Sequence, residues 1–353
     1  LNSSLLNILD SKTSGTITLS NATTINVDSE NTLNLGDFTV SNSVTINDST
    51  GNENITGTSS NDVLNLSSGN DTINLGDGSD VINTTIANLN TADNISDTGT
   101  TGTDTLNITN SGTIDSANLI DVNGIETLNL SASDDTITFD DTTEFNAFRN
   151  EFANIADAGG NDTLSFGTSA VTGDLDFSKL SEFENLNLSS ANDNLTISGD
   201  EPTNINGLDG NDTFSLDFSN VNNFTINGGN NSAGDDKVNI TGTSSSISTD
   251  TNIFGAGAFN NIEALDLTAT NLVVGADTSD GGTNAEYTLT GALINSWTSS
   301  NSLKLTLDAD AASKFEFTNN SGTKYGGDDS GTTAITNGSY TLDNGATLIV
   351  DGL

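Results

Sequence analysis

Cysteine, histidine and methionine are absent from the chain, proline occurs once, at Pro202, and basic residues number only seven. Each gap removes a class of function. Without cysteine there are no disulfides, and the redox compartment leaves no direct signature. Without cysteine or histidine the usual zinc sites cannot be built, because their donors are thiolate and imidazole. Ser-His-Asp and Cys-His catalysis lose their base. No run of 18 or more apolar residues occurs, so no helical membrane span is expected. The chain begins at Leu1 without a basic, apolar leader, which reads as a fragment or processed product of a longer protein.

What is abundant is negative charge. Asp and Glu total 49 against seven Lys and Arg, a net charge of −42. Such a chain repels phosphate backbones and anionic headgroups, which excludes nucleic acid and membrane insertion and leaves a cation as the natural partner. A length of 353 residues allows two or three units or one long repeat array. An acidic polar chain can be disordered. Against that stand 32% hydrophobic residues, 15 Phe and the arrangement of the apolar residues in alternating pairs. A cysteine-free, acidic, Asn/Thr/Ser/Gly-rich composition is also common among exported bacterial surface proteins.

The apolar residues repeat. Thr16-Ile17-Thr18-Leu19, Thr24-Ile25-Asn26-Val27 and Thr32-Leu33-Asn34-Leu35 follow one another at eight-residue intervals, each alternating as a strand does. The interval then becomes nine: Ile46, Ile55, Leu64, Ile73 and Ile82 are in register, as are Asp62, Asp71 and Asp80, with Glu53 one step earlier. A short strand plus a tight turn fits that step. One rung cannot bury its apolar side chains alone, whereas stacked rungs can, so residues 15–83 predict a narrow solenoid.

A longer repeat follows. Asp104-Thr105-Leu106 and Asp162-Thr163-Leu164 each precede, by 21 residues, a segment of one pattern: Ile125-Glu126-Thr127-Leu128-Asn129-Leu130 and Phe183-Glu184-Asn185-Leu186-Asn187-Leu188. Both then reach another Asp, Asp135 and Asp193, 31 residues after the first. Asp236 with Ile262-Glu263-Ala264-Leu265-Asp266-Leu267 reads as a third copy stretched to 26. The leucines are expected to face the core. Glu126, Glu184 and Glu263 read as polar caps at rung ends, with calcium ligation as the alternative. Phe145, Phe148, Phe152 and Ile155 have helical spacing, and Asp141 or Thr142 stands where a cap belongs.

The chemistry is concentrated in Gly57-Thr58-Ser59-Ser60-Asn61-Asp62-Val63-Leu64-Asn65, Leu66-Ser67-Ser68-Gly69-Asn70-Asp71-Thr72-Ile73-Asn74 and Leu75-Gly76-Asp77-Gly78-Ser79-Asp80-Val81-Ile82-Asn83. This resembles the nonapeptide of repeats-in-toxin (RTX) proteins, G-G-x-G-x-D-x-U-x. Glycine lets the backbone turn tightly, the Asp supplies a hard charged oxygen, and the apolar U residue points into the stack. Ca²⁺ takes six to eight oxygens, more than one turn supplies, so neighbouring turns must share it. Rung spacing of about 4.8 Å would bring Asp62, Asp71 and Asp80 together. The resemblance is tight over residues 53–83 and departs from the pattern at Leu66 and Leu75 in the first position and at Thr58 and Ser67 in the second. Further motifs stand at Gly159-Gly160-Asn161-Asp162 and Gly207-Leu208-Asp209-Gly210-Asn211-Asp212, with weaker ones ending at Asp135, Asp193 and Asp235-Asp236. The candidate ligands of Ca²⁺ are therefore Asn61, Asp62, Asn70, Asp71, Asp77, Asp80, Asp135, Asp162, Asp193, Asp209, Asp212, Asp235 and Asp236. The plainer alternative is that these Asn-Asp and Gly-Asn turns only close rungs through side-chain-to-backbone hydrogen bonds.

The expected fold is all-β: a calcium-stabilised β-roll or β-helix solenoid with one short helix and a β-rich C-terminal unit. Its expected parts are 1–100 with the nonapeptides, 101–284 with the larger repeat and a helix near 144–155, and 285–353. The RTX resemblance implies type I secretion, folding outside the cell and an extracellular place. The larger repeat resembles segments of calcium-dependent surface-layer proteins. The function expected is a structural calcium-binding module of a bacterial surface layer, or else the stalk or C-terminal region of an RTX adhesin. Its partners would be copies of itself and a cell-surface glycan. The end Val350-Asp351-Gly352-Leu353 reads as either an export signal or a final strand. An enzyme is not expected, since Arg149 is the single Arg and the six Lys are scattered. Ice or mineral binding would need Thr16, Thr24 and Thr32 to form one flat column.

Overall fold

The computed structural model describes residues 3, 6, 17–19, 23–27, 32–40, 43–120, 122–156, 158–199, 202–218, 225–230, 234–246, 251–252, 254–274, 284–327 and 332–353. The chain forms two compact units, Leu1–Leu164 and Ser165–Leu353.

Unit 1 is a coil of short parallel strands, as the alternating segments predict. Two nonapeptides make one turn of the coil, and successive strands alternate between two sheets. One sheet stacks Thr23–Asn26, Val44–Asn47, Asp62–Asn65, Val81–Thr84, Thr105–Ile108, Thr127–Asn129 and Asn154–Ala156. The other stacks Thr32–Asn34, Asn54–Thr56, Thr72–Asn74, Asn94–Ser96 and Val122–Asn123. Inward side chains form two apolar columns. Ile25, Ile46, Leu64, Ile82, Leu106 and Leu128 are each in register with the next. Leu33, Ile55, Ile73, Ile95 and Val122 form the second column. All of these residues are buried. Burial of each such side chain contributes roughly 1.5–3 kcal/mol, which a single rung could not achieve.

On the outer side of the first sheet the amides of Asn26, Asn47, Asn65, Asn83, Asn107 and Asn129 hydrogen-bond from rung to rung at 2.8–3.1 Å. A one-residue slip would break every bond of this amide ladder at once, so it fixes the register. The threonine column is not formed. Thr24 pairs with Thr45 in one sheet and Thr32 with Asn54 in the other, while Thr16 lies outside the described residues.

The expected helix spans Thr142–Glu151. Asp141 caps it, its Oδ1 accepting from Thr143 N–H at 2.8 Å and Glu144 N–H at 3.0 Å. Phe145 and Phe148 pack on Phe139, with centroids 5.4 and 5.5 Å away, and Phe152 follows Phe148. Ile155 does not continue the helix. It lies in a strand beside Leu128, because β pairing with the preceding rung replaces the fourth helical turn.

Unit 2 repeats the parallel plan with longer strands. Its main sheet has eight strands, in the order Thr172–Asp176, Asn194–Ser198, Thr213–Asp217, Lys237–Thr243, Ala264–Asn271, Ser302–Thr306, Thr347–Asp351 and Gly338–Thr341. A second stack runs Asn185–Asn187, Asn204–Asn206, Thr225–Asn227 and Phe259–Asn260. The stretched third copy is one long coil, with Val238 beside Leu265. The leucines at 128, 130, 186, 188, 265 and 267 are buried, as expected. Parallel stacking continues past residue 285, where the nine-residue signal ends. Two short helices, Gly291–Trp297 and Ala309–Ala312, join these last coils and had no clear sequence signal.

The direction of the chain reverses at the end. Gly338–Thr341 pairs antiparallel with Thr347–Asp351, and Lys324–Gly326 pairs antiparallel with Phe315–Thr318. Phe317, Tyr325 and Tyr340 hold the two reversals together, with centroids 4.8–5.2 Å apart. Of the segment Val350-Asp351-Gly352-Leu353, the first two residues lie in the strand Thr347–Asp351.

Candidate metal sites

The turns that carry the motif end in a carboxylate at the sixth position, and these carboxylates are buried. Glu53, Asp62, Asp71, Asp80, Asp104, Asp135, Asp162, Asp193, Asp212 and Asp236 are all at most 4% exposed. The acidic and amide residues at the third and fifth positions lie outside. Asn61, Asn70, Asp209 and Asp235 are exposed, and Asp77 is half-buried. The candidate list from sequence therefore falls into two groups with different surroundings.

The exposed group braces neighbouring turns. Asn61 Oδ1 accepts from Ser79 N–H at 2.9 Å, and Asn70 N–H donates to Asn52 Oδ1 at 3.0 Å. Asp77 accepts from the N–H and hydroxyl of Thr100, which hold its carboxyl below the usual range. Asp209 bridges to Asn230 in the stacked turn.

The buried group forms ladders. Glu53 apart, which takes the Ser49 hydroxyl, the sixth-position carboxylates accept a backbone N–H from the turn one coil earlier. Asp62 donates to Asp80 at 2.6 Å, Asp80 to Asp104 at 2.7 Å and Asp104 to Glu126 at 2.8 Å. At the opposite corner Glu53 donates to Asp71 at 2.8 Å and Asp71 to Asp93 at 2.9 Å. Gly112 donates to Asp135 and Asp135 to Asp162. Within unit 2, Val171 donates to Asp193, Asp193 to Asp212, Asp212 to Asp236 and Asp236 to Glu263. Glu126 and Glu263 thus accept at the ends of ladders, a place that serves a polar cap and a calcium ligand alike.

Asp62, Asp71 and Asp80 do not share a column. Asp62 and Asp80, 18 residues apart, stack at one corner, whereas Asp71 belongs with Glu53 and Asp93. The nine-residue step moves the chain to the other sheet, and only the double step returns to the same corner.

The turn-closing alternative accounts for both oxygens of Asp62, Asp135 and Asp193, which also take the N–H of Thr58, Ser131 and Ser189 in their own turns. In other carboxylates of the array it leaves the second oxygen. Asp71 Oδ2, Asp80 Oδ2, Glu53 Oε2, Asp48 Oδ1 and Asp212 Oδ2 are buried without a hydrogen-bond partner. Such an oxygen costs about 1–3 kcal/mol, and more when ionised. Asp48, Glu53 and Asp71 bring one carboxylate oxygen each to within 4.8 Å of one another. Asp48 occupies the first motif position, where the RTX pattern has glycine, and its Oδ2 accepts from Ser67 N–H at 3.0 Å. Neither Asp48 nor Glu53 was among the candidates from sequence; the register of Glu53 with the aspartates was the available signal.

Backbone carbonyls complete these corners. A Cβ on Gly57 would run into the Leu75 carbonyl and stand 2.7 Å from Asp62 Oδ2. A Cβ on Gly69 would meet the Gly51 carbonyl and stand 2.8 Å from Asp71 Oδ1. Glycine leaves the space between carbonyl and carboxylate oxygens open, which is the donor set a hard cation takes.

Residues 48–82 match the RTX calcium-binding nonapeptide repeat, in four copies. This segment is an RTX repeat array. No curated protein and no solved structure matches the chain. The RTX repeat is a calcium-binding motif, and the buried oxygens and glycine cradles fit Ca²⁺. The chain is a calcium-binding, all-β module with RTX repeats.

The electrostatics agree with a cation-dependent array. Burial pushes Asp62 and Asp48 up to about 6, and Asp71 and Asp80 up to about 7. For Asp71 the neighbouring Asp48, Asp93 and Glu53 push the same way. Burial also raises Asp104 to about 6 and Asp212 to about 7. These groups hold protons more tightly folded than unfolded. Their contribution to calcium-free stability is full below about pH 4 and is lost as pH rises through 6 to 7. Thermal melts in calcium-free buffer are therefore expected to fall steadily between those limits, and calcium affinity to rise over the same window as protons stop competing. A calcium-free melting temperature that rises from pH 5 to pH 8 would contradict the assignment of these carboxylates.

Proposed function

We propose that the chain is a calcium-rigidified structural module of a secreted bacterial cell-surface protein, assembling with copies of itself into a surface layer. The observation that carries this reading is where the buried carboxylates lie. They recur along the turns of both units, at two opposite corners of the coil in the nonapeptide array, so calcium would be part of the spine and not the contents of one pocket. A spine stiffened at every turn suits a mechanical role outside the cell, where calcium reaches millimolar levels. Among the described residues no helix is long and apolar enough to cross a membrane. Lys237, Lys304, Lys314 and Lys324 each pair with a carboxylate, and this supports a structural role over lyase chemistry.

Adding millimolar Ca²⁺ to calcium-free protein is expected to produce ordered arrays, followed by light scattering and electron microscopy and reversed by EGTA. A folded, calcium-loaded protein that stays monomeric at high concentration would sink the surface-layer reading. The stalk of a large RTX adhesin would then be favoured.

A further inference from the structure

We infer that the outer face of the first sheet of unit 1 is the surface by which one copy of the chain meets another, each presenting the same face to its partner. The inference rests on the surface-layer reading above and names the contact that such a layer would use.

The first ground is where charge is missing. Two columns stand on the outer side of this sheet, Thr45, Val63, Val81, Thr105 and Thr127 beside Asn47, Asn65, Asn83, Asn107 and Asn129. All of them are exposed or half-buried, and none is charged. In a chain of net charge −42 two copies repel at almost any approach, so an uncharged face is where contact costs least. The main sheet of unit 2 is built otherwise. Its outer side carries Asp174, Asp217, Lys237, Asp266, Lys304 and Asp351, with Lys237 paired to Asp266 and Lys304 to Asp351. That is the pattern of a face kept in water.

The second ground is that the face complements itself. Asn47, Asn65, Asn83 and Asn107 each give one side-chain N–H to the rung before and accept one from the rung after. A side-chain amide has two N–H groups and two acceptor positions, so each keeps one of both for a neighbour. Donors and acceptors are then equal in number along one straight column, and the same column turned end over end can answer it. The short, branched side chains of Thr45, Val63, Val81, Thr105 and Thr127 allow the close approach that paired sheets with amide ladders make. The outer side of the second sheet interrupts its amides with a hydroxyl, as in Asn54, Thr72 and Asn94, so it lacks a continuous ladder among the described residues.

The third ground ties the face to the corners. Asp62, Asp80 and Asp104 immediately precede Val63, Val81 and Thr105. Their charge therefore lies inside the about 10 Å over which salt leaves charges unscreened. Calcium at the corners cancels it, and two faces can then close. Size sets the strength of that contact. The sheet has seven strands. At about 4.8 Å between strands and about 10 Å of strand, the strip covers roughly 300 Å². A stable dimer needs about 800 Å² on each partner. The contact is thus too small to hold a pair alone and suits an assembly in which many weak contacts act together.

The test places a charge on the face and leaves the corners intact. Thr45→Glu and Val81→Glu would be compared with the wild-type chain and with Ser302→Glu, whose charge falls on the outer side of the main sheet of unit 2. Light scattering in millimolar Ca²⁺ gives the concentration at which arrays form, and thermal melts with calorimetry report the fold and the calcium bound. Both unit 1 variants are expected to keep the wild-type melt and calcium uptake in Ca²⁺ and to need about tenfold more protein to assemble, because like charges then meet across the contact. Ser302→Glu is expected to assemble as the wild type does. The absence of cysteine allows a second measurement. Val81 is on the central rung, nearest the axis of a same-face pair, so Val81→Cys with a short bis-maleimide should give cross-linked dimers in Ca²⁺ and none in EGTA, and Ser302→Cys should give none in either. Assembly of both Glu variants at the wild-type concentration would overturn the proposal. So would arrays in which Val81→Cys fails to cross-link, since the face would then be open to some other partner. A wild-type chain that binds calcium and stays monomeric would instead remove the surface-layer reading on which the proposal rests.

Discussion

In calcium-free buffer at neutral pH the protein is expected to melt about 15–30 °C lower than in millimolar Ca²⁺, and Mg²⁺ is not expected to replace the difference. The magnitude follows from linkage. A ligand present at a hundred times its dissociation constant stabilises by about 2.7 kcal/mol per site. For a unit of this size one kcal/mol moves the midpoint by about 2–4 °C, so three occupied corners give the stated range. Mg²⁺ is a poor substitute because it demands near-ideal octahedral geometry and keeps its waters, whereas turn carbonyls stacked on carboxylates cannot contract around it. Circular dichroism melts in EGTA, Ca²⁺ and Mg²⁺ make the comparison. Equal melts in all three would mean that the buried carboxylates stay protonated or water-bridged and that calcium has no structural part.

The second large effect changes sign with calcium. Asp71→Asn keeps an acceptor for the Glu53 N–H but removes a charge from the group Asp48, Glu53 and Asp71. Burial pushes the Asp71 carboxyl up to about 7, so above that pH the calcium-free fold carries a penalty that the variant relieves. A gain on the order of 2 kcal/mol is expected there. In saturating calcium the variant has lost a charged ligand; a tenfold loss of affinity removes about 1.4 kcal/mol. The same substitution should therefore raise the melting temperature in EGTA and lower it in Ca²⁺. Asp77→Asn is the contrast, since Asp77 bonds to Thr100 outside the corner and its replacement should leave the melting temperature nearly unchanged in both buffers. If Asp71→Asn and Asp77→Asn behave alike, the division between buried sixth positions and outer positions has no functional meaning.

Much of this was readable in the residues. Alternation over three or four positions, with Gly, Asn and Asp between, was enough to predict a coil of stacked rungs with Ile46, Ile55, Leu64, Ile73 and Ile82 turned inward. The helix followed from four aromatic and aliphatic positions, with the last of them, Ile155, taken by a strand, and of the two residues offered as its cap the structure uses Asp141. The column arrangement was not readable. A nine-residue period is the same whether rungs stack singly or alternate between two sheets, because both corners use one motif. Asp48 was missed because a carboxylate at the first position looks like a lost glycine. The division within the candidate list was hidden for a similar reason: Asp77 and Asp80 differ in burial, and nothing in their residue type announces it. The coils after residue 285 carry no nine-residue signal, because helices and longer loops separate strands that still stack in parallel.

The carboxylate ladders also have a direction. In every pair the acceptor comes later in the chain than the donor: Asp80 serves Asp62, Asp93 serves Asp71, Asp236 serves Asp212. A coil added on the N-terminal side of a folded one finds its acceptor already in place. A coil added on the C-terminal side must bring an ionised carboxylate down onto an amide that had been left without a partner. The coil therefore has an easy and a hard end for growth, and assembly should run like a zip from its C-terminal side toward its N-terminal side.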